Sequence, residues 1–497
     1  MSSGEHQLGR KVAVGTIWSI AGRFIVKSLG FISILILARI LAPDDFGVIA
    51  ATMIMVGLLE ILFNFSFDIN IIQKKEVTST TLNSAWTCKL LSGLVLTLLL
   101  FFGSHAIALY FADPRLVQVV QAIALLPLLK SAKNIGFVLY RKELDLKSEF
   151  KLDAYAKAVS FVVTVSLALW MQSYWALLLG IYSNVLAKLV LSFWMHPYRP
   201  WFCLREAREL FSFSKWLLLR NVTVYFNTNA PALMIGRLST PEQLGFYSIS
   251  YEVSNLPTTE LLYPLSRAAY PGYVKLNEKP AELSRFFLRM SRLIVLVVAP
   301  VSFGLAAVSE QLVAVLLGSQ WMSAAPLLGL LAIYGFVRAG SQNVESIFVA
   351  LGRPRLCFFI MFVLTLGYIP CLYLAFQFAG LQGIAYVMIA NAIVYSVVSY
   401  SFLAHLLQFK LTSVLRVYAL PLGAAILMFF GVRVLGDYTA AFVEPLWLLL
   451  LLKVMIGAFI YLAILLLQHV VAPAGSLFSE AWSLVRQLKN VKQSIIR

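Results

Sequence analysis

The chain has 497 residues, of which 60% are hydrophobic and 13% are charged, and its formal net charge is +17. A soluble protein would carry about a quarter charged residues, so the composition excludes a soluble globular protein and predicts a polytopic membrane protein. The four cysteines form no CxxC pair and show no metal-like spacing, and are Cys88, Cys203, Cys357 and Cys371.

Apolar stretches of about twenty residues follow one another along the chain, each long enough to cross a hydrocarbon core of roughly 30 Å. Each span must be helical, because backbone groups in lipid need partners within their own segment. The fold class is therefore an all-α membrane protein with about 14 transmembrane helices. The predicted spans are 12–38, 46–68, 83–108, 116–140, 152–171, 174–195, 214–236, 243–265, 290–309, 323–350, 357–376, 382–404, 417–435 and 445–468.

The distribution of Lys and Arg predicts the orientation of these spans. Of 40 such residues, 26 lie at the two termini and in every second loop. The alternate loops hold only Arg39, Arg115, Arg237 and Arg433. Because positively charged loops stay in the cytoplasm, both termini are predicted to be cytoplasmic. The tail, 476–497, has one apolar helical face beside basic residues, which is typical of an amphipathic helix on the inner leaflet.

A segment at the start of the chain recurs 198 residues later. Trp18 then falls on Trp216, Arg39 on Arg237, Pro43 on Pro241, and Gly47 on Gly245. Such uncommon residues rarely match in one register by chance, so the match indicates an internal duplication.

The offset covers six spans, an even number, so both copies enter the membrane from the same side. Parallel repeats of this kind are a transporter architecture with the binding site between the halves. We therefore predict a six-helix lobe at 1–200, a second at 201–410, two extra helices at 411–475, and the cytoplasmic tail at 476–497.

The sequence contains no pattern typical of catalysis. There is no GxxxxGK[ST], HExxH or GxSxG motif and no paired His/Cys motif. The longest outer loop runs only from about Glu310 to Met322. We therefore expect a protein that is not an enzyme, with no catalytic residues, no cofactor and no metal.

Ten Lys and Arg remain inside the predicted spans. Four can extend to the cytoplasmic surface, namely Lys89, Lys157, Lys188 and Arg220, and the deeper six are Arg23, Lys27, Lys130, Lys133, Arg338 and Lys453. A cation at the centre of a span costs ~2.5–3.5 kcal/mol, so these residues need a cavity or a partner. The acids within or beside the spans are Glu60, Asp68, Glu252, Glu260 and Glu345. Interhelical ion pairs are one interpretation, but the surplus of cations favours a hydrated, cationic lumen for an anionic cargo.

Arg23 and Lys27 are the strongest site candidates, because a spacing of four places them on one helical face. The polar run of span seven could bind a sugar or a phosphate, or could make interhelical hydrogen bonds instead. Glu60, Glu252 and Glu345 could bind a coupling proton or Na⁺, or could be plain charge partners. The full set of predicted substrate-binding residues is Arg23, Lys27, Lys130, Lys133, Arg220, Asn227, Asn229 and Arg338.

Several segments carry a resemblance to a known family. They are LARILAPDDFGVIA (37–50), IIQKKE (71–76), FNTNAPALMIGRL (226–238), LGFYSISYEV (244–253) and GSQWMSAAPLL (318–328). Over nearly its whole length the chain resembles the polysaccharide flippases of the multidrug/oligosaccharidyl-lipid/polysaccharide exporter superfamily, most closely the colanic-acid type. Lipid II flippases of this superfamily carry a cation before a Leu-Gly-Phe in the first helix, and here Lys27 precedes Ser28 and then Leu29–Phe31.

The resemblance implies two six-helix lobes plus two helices in the bacterial inner membrane. It also implies the translocation of undecaprenyl-diphosphate-linked oligosaccharides for exopolysaccharide or lipopolysaccharide assembly, which we expect to proceed by alternating access. The expected partners are this lipid-linked oligosaccharide and membrane lipids, with the polysaccharide polymerase and export machinery as a further candidate and no nucleic acid.

Two alternative functions remain open. One is a drug/cation antiporter of the same superfamily, whose cargo is often cationic and would be repelled by a positive lumen. The other is a membrane glycan polymerase or ligase, which would need catalytic residues on the outer face, where the chain has almost no loop.

Overall fold

The computed structural model describes residues 3–63, 67–74, 76–143, 145–208, 215–440 and 442–471. Within these ranges the secondary structure is helical and contains no strand, which confirms the all-α prediction. The predicted amphipathic tail, 476–497, lies outside the described residues.

The first ten helices are Ser3–Ile40 (α1), Pro43–Phe63 (α2), Phe67–Gln73 (α3), Ser79–Phe111 (α4), Arg115–Ile123 (α5), Leu126–Ser131 (α6), Phe137–Lys142 (α7), Leu146–Met171 (α8), Tyr174–Met195 (α9) and Lys215–Leu238 (α10). Local signals fix several of their ends. The Thr78 hydroxyl accepts a hydrogen bond from the Thr81 N–H at 3.1 Å and so caps α4. The Asp145 carboxylate accepts one from the Ser148 N–H at 3.3 Å and caps α8 in the same way.

The remaining helices are Pro241–Lys275 (α11), Pro280–Ala307 (α12), Ser309–Leu312 (α13), Ala325–Ala350 (α14), Pro354–Leu407 (α15), Leu411–Ala440 (α16) and Leu446–Val471 (α17). A π-helical turn at Val313–Leu317 and a 3₁₀ helix at Ser319–Ala324 join α13 to α14. Helices α2, α11, α12 and α15 begin at a proline, where its missing N–H costs no intrahelical hydrogen bond.

Nine of the helices in the described residues are long and apolar enough to cross a membrane. One of them, α15, covers both predicted spans eleven and twelve. Its backbone turns at Gly380, where φ is +57° and ψ is −138°, a conformation that favours glycine. The predicted spans one, seven and eight are the helices α1, α10 and α11, which are not among the nine. The total of 14 spans stays a prediction.

The fourth predicted span, 116–140, is not one helix, and this prediction was wrong. It is divided into α5, α6 and α7, and the chain leaves the helix between Ser131 and Phe137. Asn134 and Gly136 lie in this interruption, and both residue types favour turns within an otherwise apolar run.

By its internal contacts the chain divides into two compact units, Met1–Ser248 and Ile249–Arg497. In the first unit, Ile71, Ala85 and Val138 belong to a core that joins α3, α4 and α7. In the second, Val298, Phe336 and Ala425 belong to a core that joins α12, α14 and α16. The division falls inside α11 rather than after residue 200, and the predicted lobe boundaries stay a prediction.

The duplicated residues meet inside the first unit, where the start of α2 crosses the start of α11. A Cβ added to Gly47 would overlap the carbonyl oxygen of Pro241. Conversely, a Cβ added to Gly245 would overlap the carbonyl oxygen of Pro43. These contacts are reciprocal under the offset of 198 residues.

Candidate functional site

The interrupted fourth span is fixed by hydrogen bonds at the non-helical segment between α6 and α7. The side-chain amide of Asn134 donates to the carbonyl of Tyr198 at 2.7 Å, and its oxygen accepts from the N–H of Gly136 at 2.9 Å. The hydroxyl of Ser192 accepts from the N–H of Asn134 at 3.0 Å. Non-helical backbone is tolerated at membrane depth only where it is buried in protein or lines a water-filled cavity. Interrupted helices of this kind often border substrate and ion sites in transporters.

A cavity of about 250 Å³ lies beside this interruption, inside the first unit. Two acids and two lysines from four helices line it, together with Pro127 and apolar side chains, and they are Glu60, Asp68, Lys89 and Lys130. A second cavity of about 50 Å³ shares Asp68 and Lys89 and adds Lys133, Arg141 and Glu149. Together these linings contain one more cation than acids.

Two ion pairs cross the larger cavity. The ammonium of Lys130 lies 2.6 Å from the Glu60 carboxylate, and that of Lys89 lies 2.9 Å from the Asp68 carboxylate. Interhelical pairing, one of the two predicted interpretations, is therefore observed for Lys130 and Glu60. The side chains are 38% and 32% exposed, so both groups remain accessible to a bound anion or cation.

Lys133 was predicted to bind substrate and lines the smaller cavity. Its ammonium lies 5.1 Å from the ring centre of Phe137, close enough for a cation–π interaction. Arg141, which lines the same cavity, forms an ion pair with Glu149. Lys133 therefore adds positive charge next to the two ion pairs.

The other predicted cation cluster lies on α1, where Arg23 is half-buried and Lys27 is exposed. This helix packs along α8, with Phe150 against Gly22 and Lys157 against Gly30. Because both contacts advance together along the chain, the two helices run in the same direction, as expected for the first and fifth spans.

Lys157 is a functional candidate that the sequence reasoning assigned to the membrane surface. Its ammonium lies 3.6 Å from the position that a Cβ would occupy at Gly30, one turn after Lys27. A third cation therefore lies next to the α1 face. The sequence feature that indicates this position of Lys157 is Gly30, whose missing side chain makes room for a long lysine side chain from the neighbouring helix.

The polar run of α10 bonds mostly to helix backbone. Thr223 donates to the carbonyl of Leu219 at 3.0 Å, and Asn229 donates to that of Tyr225 at 3.1 Å. The Tyr225 hydroxyl donates to the carbonyl of Ile54 in α2, which is an interhelical bond. Asn227 is half-buried, and Arg220 is exposed at the start of the run.

In the second unit, the predicted residues Arg338 and Glu345 both lie on α14. An Arg338 guanidinium nitrogen donates to the hydroxyl of Tyr251 at 2.8 Å. The hydroxyl of Tyr395 donates to the Glu345 carboxylate at 2.8 Å. Glu252, the third predicted acid, is half-buried on α11. The structure therefore places tyrosines around both charges, which the sequence reasoning did not single out.

Comparisons with known proteins find a matching family model and similar relatives. A family model described as polysaccharide biosynthesis protein matches residues 36–326. The chain is similar to the lipopolysaccharide biosynthesis protein WzxC of Escherichia coli, with 25% identity, covering 79% of this chain and 81% of that protein. It is also similar to the succinoglycan biosynthesis transport protein ExoT of Rhizobium meliloti, with 24% identity, covering 91% and 92%.

Two solved structures share the fold. The lipid II flippase MurJ, in an inward closed conformation, has a TM-score of 0.72 and 13% identity, covering 91% of this chain and 99% of that chain. An inward-facing multidrug transporter of the MATE family has a TM-score of 0.59 and 11% identity, covering 76% and 94%. At these identities the likeness concerns the fold alone.

Proposed function

This chain belongs to the polysaccharide biosynthesis protein family, and we propose that it is a flippase for undecaprenyl-diphosphate-linked oligosaccharide repeat units. It moves them across the bacterial inner membrane, for exopolysaccharide or lipopolysaccharide assembly, by alternating access through a cationic lumen. The relatives named for lipopolysaccharide biosynthesis and succinoglycan transport support this function. A fold shared with a lipid II flippase is consistent with a lipid-linked cargo.

The observation that supports the proposal most directly is the group of cations on and between helices of the first unit. Arg23 and Lys27 share a face of α1, and Lys157 lies beside it. Lys130 and Lys133 line cavities at the interrupted span. A diphosphate offers several anionic oxygens, which Arg can bind with two parallel hydrogen bonds and Lys can bind as a point charge.

The same charges disfavour the antiporter alternative, because a site with a surplus of cations repels a cationic drug. We infer a transporter rather than an enzyme, with the lipid-linked oligosaccharide as its cargo. The polymerase and export machinery are proposed as further partners.

The test is polymer export in a strain that lacks the gene, with the amount of protein in the membrane measured alongside. Loss of a hydrogen bond to a charged group costs roughly 1.5–3 kcal/mol, or about one to two orders of magnitude in affinity. Arg23→Ala and Lys27→Ala should therefore each reduce export severely at normal protein level. Lys27→Arg should be milder, because the positive charge remains.

Lys279→Ala is the matched control, since Lys279 is a solvent-exposed lysine of a predicted cytoplasmic loop whose side chain is 64% exposed. Its export should equal that of the wild type. Full export by the Arg23→Ala/Lys27→Ala double variant would refute the cationic site on α1.

A further inference from the structure

One face of α14 combines aromatic and charged side chains. Tyr334, Arg338 and Glu345 are separated by four and seven residues, which places them on the same side of the helix. All three are half-buried, whereas the intervening Phe336 and Val344 are buried. From Arg338 to Glu345 the helix rises about 10 Å, so the face is long enough to contact more than one sugar ring.

Tyrosines from two other helices complete this face within the second unit. Tyr251 of α11 accepts a hydrogen bond from Arg338, and its ring centre lies 6.5 Å from that of Tyr334. Tyr395 of α15 donates to Glu345. Each charge is thus oriented by a tyrosine hydroxyl.

This combination suits a carbohydrate. A sugar ring has apolar C–H faces and an edge of hydroxyl groups, and a tyrosine likewise has an apolar ring and a polar hydroxyl. The guanidinium of Arg338 can donate to sugar oxygens, and the carboxylate of Glu345 can accept from sugar hydroxyls. A diphosphate fits less well, because the one arginine shares the face with a carboxylate that would repel it.

We propose that Tyr334, Arg338 and Glu345, with Tyr251 and Tyr395, form the subsite that binds the oligosaccharide portion of the cargo. The inference rests on the proposed flippase function and names the part of the cargo that this site recognises. It assigns sugar recognition to the second unit and diphosphate recognition to the cations of the first unit.

The experiment measures binding to the purified full-length chain in lipid nanodiscs by calorimetry. Two probes separate the subsites: the free oligosaccharide repeat unit, without lipid or phosphate, and inorganic pyrophosphate. Tyr334→Ala and Arg338→Gln should weaken oligosaccharide binding by roughly ten-fold or more and leave pyrophosphate binding unchanged. The Arg23→Ala/Lys27→Ala variant should show the opposite pattern. Tyr334→Phe, which keeps the ring, should lose less than Tyr334→Ala.

Tyr373→Ala is the control, because Tyr373 is a tyrosine of α15 that is 47% exposed and lies outside the proposed subsite. The subsite is refuted if the wild type does not bind the free oligosaccharide, or if Tyr334→Ala and Arg338→Gln bind it normally. It is also refuted if these variants lose both probes together with thermal stability, as a purely structural role predicts.

Export in the gene-deleted strain distinguishes this outcome from failure of the flippase proposal. A wild-type chain that binds the oligosaccharide but restores no export would refute the flippase and keep the subsite. Restored export with unchanged oligosaccharide affinity in the variants would do the reverse.

Discussion

At the level of single residues, the ion pair between Lys130 and Glu60 raises the question whether it only stabilises the fold or also takes part in cargo binding. Both side chains are about one-third exposed, so screening limits the pair to less than about 1 kcal/mol of stability. Because the pair contributes so little stability, Lys130 can exchange the Glu60 carboxylate for a phosphate without a large loss in the free energy of unfolding. The pairing is therefore compatible with a role in cargo binding.

Exchanging the two charges tests that role. In the Glu60→Lys/Lys130→Glu variant the attraction is kept, but the position of the cation changes. If Lys130 only balances the charge of Glu60, the exchanged variant should have both the wild-type protein level and wild-type export. We expect a normal protein level with export still reduced, because the diphosphate has lost a positioned cation. Membrane immunoblots and polymer quantification measure the two, and wild-type export by the exchanged variant would show that the pair is only structural.

For single residues, the sequence indicated which charges lie inside the spans but not which residues they pair with. Lys130 and Glu60 were both recognised as charges inside spans, yet they are separated by 70 residues and meet only through helix packing. Lys157 was missed because it lies close to the cytoplasmic end of the fifth predicted span, which indicated a position at the membrane surface. Only the contact with Gly30 on a neighbouring helix places it beside the α1 face.

At the level of helices, the crossing of α2 and α11 depends on two glycines at equivalent positions of the repeat. Each approaches a backbone carbonyl of the other helix, so there is no side chain that could move aside for a methyl group. A larger residue at either position must separate the two helices. The duplication predicted from the sequence would account for the same requirement occurring twice.

We predict that Gly47→Ala and Gly245→Ala each destabilise the protein by about 1–3 kcal/mol, the usual cost of overpacking. Gly103→Ala is the control, because Gly103 of α4 has no atom within 4 Å of the added methyl group. A helical Gly→Ala change at such an open position should instead stabilise by roughly 0.5–1 kcal/mol. Thermal unfolding of the purified proteins in detergent measures these changes in stability. Equal stability of all three variants would contradict the close crossing of α2 and α11.

Helix boundaries were predictable where the length of an apolar run determines them. They were not predictable where a few polar residues interrupt such a run. The apolar run 116–140 conceals an interruption that depends on Asn134 bonding to Tyr198, a residue more than sixty positions away. In contrast, the break predicted between spans eleven and twelve coincides with the turn at Gly380, although the flanking residues are helical.

For the whole molecule, the segment that follows α9 bears on the predicted orientation. It runs along the start of α4, where the Tyr198 hydroxyl donates to Asn83 at 2.6 Å and the Cys203 N–H donates to Thr87 at 3.0 Å. Glu206 accepts from Lys74 and from Thr81, both at 2.9 Å. These bonds join the end of the sixth span to the start of the third, the side that the distribution of Lys and Arg predicts to be cytoplasmic.

Cys203 in this segment tests that orientation. The N–H of Arg205 and the hydroxyl of Ser84 donate to its sulfur and lower the pKa of the thiol, so more of it is the reactive thiolate at neutral pH. In a variant with Cys88, Cys357 and Cys371 changed to Ala, we expect a membrane-impermeant maleimide to label Cys203 in inverted vesicles and not in intact cells.

The same variant allows a pH control that is independent of sidedness. Because these hydrogen bonds favour the thiolate, its labelling should extend to lower pH than that of a free thiol, and Ser84→Ala should shift the profile toward higher pH. Labelling in intact cells would place this loop outside and invert the whole arrangement of spans. The cation-rich loops would then face outward, against the rule that positively charged loops stay in the cytoplasm.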